Sequence, residues 1–149
     1  MAANTEGVSE SAVRAARDLR AVFSRLRRRL REIGATEGLT PSQTAVLARL
    51  SKDGAASTSG LAAAERVRPQ SMAASLAALE QQHLIRRDPD PEDGRRQLIT
   101  LTATGTERVD GDRQARQEWL ARTMQDRFTE RERQVVLEAL SLLDRLTQQ

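Results

Sequence analysis

Apolar residues recur at three- and four-residue spacing over four long stretches of the chain, and this period is typical of amphipathic helices. The helices predicted from it cover residues 9–33, 41–50, 103–127 and 129–146. Polar start signals precede all four of them. Ser9 or Ser11 is the predicted cap of the first helix and Thr102 that of the third. Thr40 with Gln43 and Thr129 with Glu132 match capping boxes at the second and fourth.

The stretch between the second and third of these helices has a shorter pattern. Residues 59–65 predict a short helix capped by Thr58, and residues 66–68 predict a tight turn. Pro69 suits the first position of another helix, because its missing N–H has no partner there in any case. In that helix, residues at i, i+4 and i+7 predict one buried stripe, made of Met72, Leu76 and Leu79.

After this helix the period changes from helical to alternating. A strand is predicted at residues 85–87 and a return strand at residues 97–102, which are rich in β-branched residues. Pro, Asp and Gly dominate the tip at residues 88–96, as they do in tight turns. Helix, turn, helix and β-ribbon together predict a winged helix-turn-helix, in a mainly α fold with a small β-wing. The second helix of such a motif enters a DNA major groove.

With 149 residues, the chain suits one compact domain that carries an appendage. We expect residues 39–102 to form the DNA-binding winged part. Residues 1–38 are expected to supply a tail, frayed over residues 1–7, and a dimerisation helix. Two more dimerisation helices are expected within residues 103–149, because the last helix has too many apolar positions to be covered on one side only.

The outer face predicted for the second helix of the motif carries small residues and one amide, where a merely soluble surface would carry more charge. Small side chains let a helix backbone sit deep in a groove, and Gln70 offers the donor and acceptor pair that suits adenine. Ser71 and Ser75 can meet either bases or phosphates, and Ala74 and Ala78 complete the outer and flanking positions. An ordinary amphipathic helix in a small all-α domain fits the same pattern.

Four arginines flank the predicted hairpin tip, and an arginine on a narrow hairpin can enter a minor groove, where negative potential is concentrated. They are Arg86, Arg87, Arg95 and Arg96. The tip also holds four acids, which repel phosphates unless they are paired. We therefore expect Asp93 to fold back onto an arginine of its own wing and to hold it in position. A solvated hairpin with incidental charge is the alternative interpretation.

Five short motifs follow one another in this part of the chain: Arg68-Pro-Gln-Ser-Met72, Leu79-Glu80, Leu84-Ile85-Arg86-Arg87, Asp93-Gly-Arg95 and Leu101-Thr102-x-x-Gly105. Their order resembles the MarR family of bacterial transcription regulators, and the resemblance covers nearly the whole chain. It implies a homodimeric winged-helix DNA binder, often a repressor released by a small, commonly aromatic or phenolic, ligand. The family's wing aspartate and arginine map on Asp93 and Arg95. Many members carry a basic residue where this chain has Ala74, a position at which alanine offers contact with a thymine methyl group.

No catalytic chemistry is indicated. The chain has no cysteine and a single histidine, His83, which excludes disulfides and zinc–thiolate sites. It also lacks a glycine-rich phosphate loop and a metal-ligand cluster, so neither an enzyme nor a bound cofactor or metal is expected. His83 is expected to be a partly buried helix-terminal residue, and Gly105 to permit a close backbone approach where the wing meets the next helix. Without a bilayer-spanning apolar run or a signal peptide, the protein is expected in the cytoplasm.

Positive charge is concentrated in the first helix. The net charge is +3, yet residues 14–31 hold eight arginines against one acid, whereas residues 103–149 carry eight arginines and nine acids. Such a basic amphipathic helix also fits a membrane surface, but it has one aromatic residue and leads directly into a folded part. We favour a dimer arm whose arginines face DNA, a bound ligand or acids of the partner chain. Trp119, further along, either lines an effector pocket or belongs to the core.

The sequence therefore predicts a homodimeric transcription regulator that acts as a repressor. It is expected to bind a pseudo-palindromic operator in double-stranded DNA. The residues predicted to contact DNA are Arg68, Gln70, Ser71, Ala74, Ser75, Arg86, Asp93, Arg95 and Arg96. No residue is assigned to an effector. The alternative is a helical interaction protein that binds another protein through its winged part. Salt discriminates between them, because DNA binding weakens steeply with ionic strength and an apolar protein interface does not.

Overall fold

A computed structural model describes residues 7–34 and 38–148. Its elements follow one another as α1 (Glu10–Gly34), α2 (Pro41–Asp53), β1 (Ala56–Ser57), α3 (Thr58–Glu65), α4 (Pro69–Gln81), β2 (Ile85–Pro89), β3 (Gln97–Leu101), α5 (Ala103–Arg127) and α6 (Glu130–Asp144). This order confirms the predicted mainly helical fold with a winged helix-turn-helix. Residues 1–6 of the predicted frayed tail lie outside the described residues. We call α2–α4 with β1–β3 the winged module, and α1, α5 and α6 the helical frame.

One hydrophobic core holds the winged module together. All three of its helices and its sheet contribute to it, and its buried residues are Val46, Leu47, Leu50, Leu61, Ala62, Met72, Leu76, Leu79, Leu84, Ile85 and Ile99. The predicted stripe of Met72, Leu76 and Leu79 is confirmed, because these residues are at most 2% exposed. Burial of each such side chain stabilises the fold by about 1.5–3 kcal/mol, so α4 has a fixed position against α2 and α3.

The sheet has three antiparallel strands in the order β1-β3-β2. The two-residue strand β1 is absent from the sequence prediction, and it pairs with β3 through Ala56 opposite Ile99. This pairing sets the start of α3, because Ser57 is extended and its hydroxyl accepts a hydrogen bond from the Gly60 N–H at 3.1 Å. The prediction that Thr58 caps this helix is therefore wrong, since Thr58 is already its first helical residue.

The wing differs from its prediction in both strands. β2 continues to Pro89, which lies opposite Gln97, so the strand is longer and the tip shorter than predicted. β3 ends at Leu101, because Thr102 leaves the strand ladder and caps α5. The Thr102 hydroxyl accepts a hydrogen bond from the Gly105 N–H at 3.0 Å, as the predicted N-cap requires.

The end of α4, the wing and the start of α5 meet at one junction. The Leu84 carbonyl accepts a hydrogen bond from the Thr102 N–H at 3.1 Å, and the Thr102 hydroxyl donates to the His83 carbonyl. A Cβ at Gly105 would lie 1.9 Å from the Leu84 carbonyl oxygen, which confirms the predicted close backbone approach. The partial burial predicted for His83 is wrong. This residue follows Gln82, the C-cap of α4, in a left-handed conformation (φ 57°), and its side chain is exposed.

Polar contacts join the helices of the frame. Arg116 Nε of α5 donates to the Leu30 carbonyl of α1 at 3.1 Å, and the Arg29 guanidinium lies 5.6 Å from the centre of the Trp119 ring.

The helical frame leaves much of its apolar surface exposed. No residue of α6 is buried. Large apolar side chains that are more than half exposed include Val22, Phe23, Val135, Leu137, Leu140 and Leu142. Within the described residues, no helix combines the length and apolarity needed to cross a membrane.

Candidate nucleic-acid interface

The turn between α3 and α4 sets the direction in which α4 leaves the rest of the winged module. Arg66 ends α3 in a left-handed conformation (φ 55°, ψ 42°), and its N–H donates to the Ala63 carbonyl at 3.2 Å. The Val67 N–H donates to the Ala62 carbonyl at 3.0 Å. These two bonds form a Schellman motif, which satisfies carbonyl groups that the end of a helix leaves free. Pro69 then opens α4 with its fixed φ.

Five of the residues predicted to contact DNA lie at the beginning of α4 and along its outer and flanking sides. Gln70, Ser71 and Ala74 are exposed, and Ser75 is half-buried. Arg68 occupies the N-cap position, and its side chain makes no capping hydrogen bond there. The structure therefore brings these five residues together along the first two turns of one helix.

Two further residues of this surface were missed by the sequence interpretation. Ala73 and Ala77 are exposed, and at i+3 and i+7 from Gln70 they continue the same outer face. The signal was available, since both positions fall outside the buried stripe of Met72, Leu76 and Leu79. The outer face of α4 consequently carries an amide and three alanines, Ala74 included, and no charge.

Ser71 and Ser75 belong to a different surface of α4, the flank that faces α2. Both residues line a cleft of about 220 Å³, whose wall also includes Ser42 and Glu65. Ser42 belongs to the first turn of α2, where free main-chain N–H groups carry partial positive charge. The two serines of α4 are thus set beside the uncharged outer face rather than on it.

Two arginines tie the wing to the helices. Arg87 of β2 pairs with Glu80 in the last turn of α4, with 3.1 Å between Nε and Oε2. Arg96 donates to the hydroxyl of Ser57, the N-cap of α3, at 3.3 Å. Exposed ion pairs add about 1 kcal/mol or less to stability, so their main effect is on geometry. They fix the orientation of the wing relative to α3 and α4.

Acids of the wing order its tip. Asp93 Oδ1 accepts a hydrogen bond from the Arg95 main-chain N–H at 3.1 Å, and its carbonyl accepts from the Arg96 N–H at 2.9 Å. Asp93 thus folds back onto an arginine of its own wing as predicted, but it holds the main chain and not the guanidinium. The guanidinium that is paired within the wing belongs to Arg86, whose Nε lies 2.9 Å from Asp88 Oδ2 on the same side of β2.

Arg95 is the wing arginine whose side chain has no contact with another described residue. Its side chain is exposed and has no ion pair or hydrogen bond with any residue that the structure describes. Its main chain is held by Asp93 at the turn. A charged group on a fixed main chain, with a free side chain, can bind an external anion at little cost in backbone ordering.

Arg49 of α2 fastens the end of α3. Its Nε lies 2.6 Å from Glu65 Oε1, and its Nη1 lies 3.3 Å from Asp53 Oδ2. The hydrogen bond to Glu65 is the main cause that raises the pKa of Arg49 above its ordinary value. Because Glu65 is the last residue of α3, this bond fixes where the turn into α4 begins. It also engages the carboxylate that adjoins Arg66.

The surface assembled in this way has the chemistry of a polyanion-binding site. Arg66, Arg68 and Arg95 have no side-chain partner among the described residues; the first two precede α4, and the third lies on the wing. Guanidinium groups suit phosphates, and a small-residue helix face suits the edges of bases in a groove. In the part of the chain that the structure describes, no three or more His, Cys, Asp or Glu side chains group as metal ligands.

Sequence comparisons match the winged module to a known family. The model of the MarR family matches residues 39–96. An HTH-type transcriptional regulator of Mycobacterium tuberculosis is 40% identical over 112 residues, which are 75% of this chain and 78% of that protein. The HTH-type transcriptional repressor MdtR of Bacillus subtilis is 33% identical over 87 residues, which are 58% of this chain and 56% of that protein.

Comparison of folds agrees with these matches. The crystal structure of a protein of Pseudomonas aeruginosa, described as a transcriptional regulator, is similar with a TM-score of 0.76 and 36% sequence identity. The similarity covers 95% of this chain and 99% of that chain, so it includes the helical frame as well as the winged module.

Proposed function

Because this chain belongs to the MarR family, a family of DNA-binding transcription regulators and not of enzymes, we propose that it acts as a homodimeric repressor. Its target is a pseudo-palindromic operator in double-stranded DNA, and it works in the cytoplasm, where that DNA lies. The observation that carries the proposal is the pairing of a fixed, uncharged outer face on α4 with an unpaired arginine, Arg95, on a wing tied to the same helix.

Each part of the interface has its own task in this proposal. The outer face of α4 enters the major groove, where Gln70 bonds an adenine and Ala74 contacts a thymine methyl group. Ser71 and Ser75, on the flank beside α2, meet the sugar-phosphate backbone at the groove edge together with Arg68. The outer face of α4 therefore reads the bases, whereas the flanking residues position the helix on the DNA backbone.

The wing supplies the second set of contacts. Arg95 enters the adjacent minor groove and responds to its width, because a narrow minor groove concentrates negative potential. Asp93 acts indirectly by holding the Arg95 main chain. Arg86, near the start of β2, and Arg96, at the tip, reach phosphates by exchanging their contacts with Asp88 and Ser57, and they make the affinity depend on salt.

Dimerisation is supported by the exposed apolar surface of the helical frame. α6 has no buried residue, and Leu140 and Leu142 are more than half exposed. Clustered exposed apolar side chains of this kind are typical of protein–protein interfaces. A second copy that covers it by a two-fold axis would place two α4 helices in successive major grooves, roughly 34 Å apart. The operator is then expected to have the same two-fold symmetry.

Repression and its release form the finer part of the proposal. The Bacillus subtilis relative is named as a repressor, which supports the same sense of regulation here. A small aromatic ligand that changes the spacing of the frame would uncouple both half-sites at once, as a two-state coupling between sites requires. A panel of aromatic acids tests this by thermal shift. A sensor of that class is contradicted if saturating ligand changes neither the melting temperature nor operator binding.

Selection of bound sequences from a random DNA pool tests the main proposal. We expect a two-fold symmetric consensus with half-sites one helical turn apart. Enrichment of an asymmetric site contradicts the dimeric arrangement, and no enrichment at all contradicts operator recognition.

The alternative function is binding of another protein through the winged module. A salt titration separates the two, because operator affinity should fall by orders of magnitude between about 50 and 200 mM salt. An apolar protein interface keeps its affinity over that range, so an affinity that does not respond to salt would favour the alternative.

A further inference from the structure

Arg66 has a backbone conformation that is unfavourable for its own residue type. Its φ of 55° and ψ of 42° lie in the left-handed region, where the Cβ of an L-residue crowds the following carbonyl. Helices that end in this way usually place glycine at that position, because glycine has no Cβ. The turn that leads into α4 therefore carries an arginine where a smaller residue would fold more easily.

The protein itself makes no use of this side chain. Arg66 is exposed, and its guanidinium has no ion pair or hydrogen bond with the described residues. The neighbouring acid is no partner for it, because Glu65 is engaged by Arg49 at 2.6 Å. A full positive charge is therefore left uncompensated beside the turn.

The position of Arg66 indicates what the charge is for. It lies three residues before Pro69, the first residue of α4, and thus at the helix end that leads into a major groove when a winged helix binds DNA. The phosphates of the groove edge pass this end of the helix. We propose that Arg66 is a phosphate contact of the DNA interface, and this proposal rests on the proposed function. Its guanidinium donates hydrogen bonds to phosphate oxygens of the DNA backbone at the rim of the groove that α4 enters.

Strain alone does not carry this inference, as a second residue of the winged module shows. His83, just after the C-cap of α4, has nearly the same φ, 57°, and is also exposed. It lies at the opposite end of α4, however, and its carbonyl serves the protein by accepting a hydrogen bond from Thr102. Arg66 differs in that it has an unneutralised charge and lies next to the end of α4 that meets DNA.

Replacement of Arg66 by glycine should raise the stability of the fold and lower the affinity for DNA, so it separates the structural effect of this residue from its effect on binding. In Arg66→Gly the strain is relieved, so the melting temperature should rise by about 2–4 °C. Operator affinity should fall roughly tenfold at low salt, because two charge-assisted contacts per dimer are lost. The slope of log affinity against log salt should become shallower by about 2, which corresponds to two phosphates.

Two further variants control this experiment. Arg66→Lys keeps both the charge and the strain, so its salt slope should remain that of the wild type. His83→Gly relieves a matched strain at the far end of α4, so its melting temperature should rise while its operator affinity and salt slope stay unchanged. Binding is measured by fluorescence anisotropy with the selected operator duplex at several salt concentrations.

The outcomes distinguish this proposal from the proposed function. If the wild type binds its operator and Arg66→Gly binds with unchanged affinity and slope, the phosphate contact is overturned and the regulatory function stands. If His83→Gly loses as much affinity as Arg66→Gly, strain relief itself disturbs binding and the contact is likewise overturned. If the wild type binds no duplex at all, the proposed function fails, and the contact fails with it.

Discussion

The winged module and the helical frame use their apolar residues in opposite ways. All the buried hydrophobic side chains among the described residues lie between Val46 and Ile99, inside the winged module. In the part of the chain that the structure describes, all the exposed large hydrophobic side chains lie between Val8 and Leu26 or between Phe128 and Leu146, outside it. The winged module thus forms a complete hydrophobic core by itself, whereas the helical frame leaves apolar surface exposed that a binding partner can cover. Folding and assembly are therefore expected to depend on different parts of the chain.

The largest effect is expected from a substitution at the junction between the winged module and the helical frame. In Gly105→Ala, the new Cβ would lie 1.9 Å from the Leu84 carbonyl oxygen and 2.9 Å from its carbonyl carbon. Both are main-chain atoms, so α5 and the wing must separate. We expect a loss of about 3 kcal/mol or more in the free energy of unfolding, measured by urea denaturation followed by circular dichroism.

The same helix supplies a matched control for this substitution. A Cβ added at Gly111 of α5 would meet no atom of another element within 4 Å, so Gly111→Ala should stabilise the helix by about 0.5–1 kcal/mol. Equal unfolding free energies for the two alanine variants would contradict the role assigned to the junction.

The next largest effect is expected in the frame and should leave the winged module intact. Leu142 of α6 is 60% exposed, and in Leu142→Glu a charge would be buried in the proposed dimer interface. We expect dimerisation to weaken by about 2–4 kcal/mol with little change in the secondary structure. Analytical ultracentrifugation measures the dissociation. Ser141→Glu, at the exposed neighbouring position, serves as the control, and an unchanged mass for Leu142→Glu would exclude this face from the interface.

A substitution in the wing is a more selective test, because it is expected to change DNA binding alone. Arg95→Ala is expected to weaken operator binding by about 1–3 kcal/mol without changing the dimer, since its side chain has no described partner to lose. Fluorescence anisotropy at moderate salt measures the change. Arg122→Ala removes an exposed arginine from α5 and should leave the affinity as it is. Equal affinities of Arg95→Ala and the wild type would refute the minor-groove contact.

The smallest expected effect concerns the cap of α6. Hydrogen bonds from the Thr129 N–H and hydroxyl lower the pKa of the Glu132 carboxyl below its ordinary value. A carboxyl with a lowered pKa stabilises the folded state above its unfolded pKa, and this contribution disappears as the pH falls through the folded-state pKa.

Thr129→Ala should therefore lower stability by about 1 kcal/mol at neutral pH, and the difference from the wild type should narrow in acid. Thermal unfolding at several pH values measures it. Thr104→Ala, an exposed threonine of α5 without a described side-chain bond, is the control. A difference that stays constant down to low pH would contradict the contribution of Glu132.

Local signals were enough to predict much of this fold. The capping boxes at Thr40 and Thr129 depend only on residues three positions apart, and both form as predicted. The buried stripe of α4 and the close approach at Gly105 also follow from spacing and residue type. For these caps and this stripe, residues close in sequence were sufficient.

Features that depend on distant pairing were not predicted. Ser57 caps α3 in place of Thr58 because Ala56 pairs with Ile99, a partner more than forty residues away in the chain. The choice of acid for each wing arginine likewise depends on the path of the tip. Arg66 and His83 escaped the prediction for another reason, since their left-handed conformation is one that sequence patterns assign to glycine.

The stacking of Arg29 over Trp119 gives the molecule a built-in optical reporter. The chain has one tryptophan and no tyrosine, so its near-ultraviolet fluorescence comes from a single indole. That indole lies in α5 beside α1, and it carries a cation 5.6 Å from its ring centre. Its emission therefore reports on the contact between these two helices, which lets spectroscopy follow the helical frame without labels.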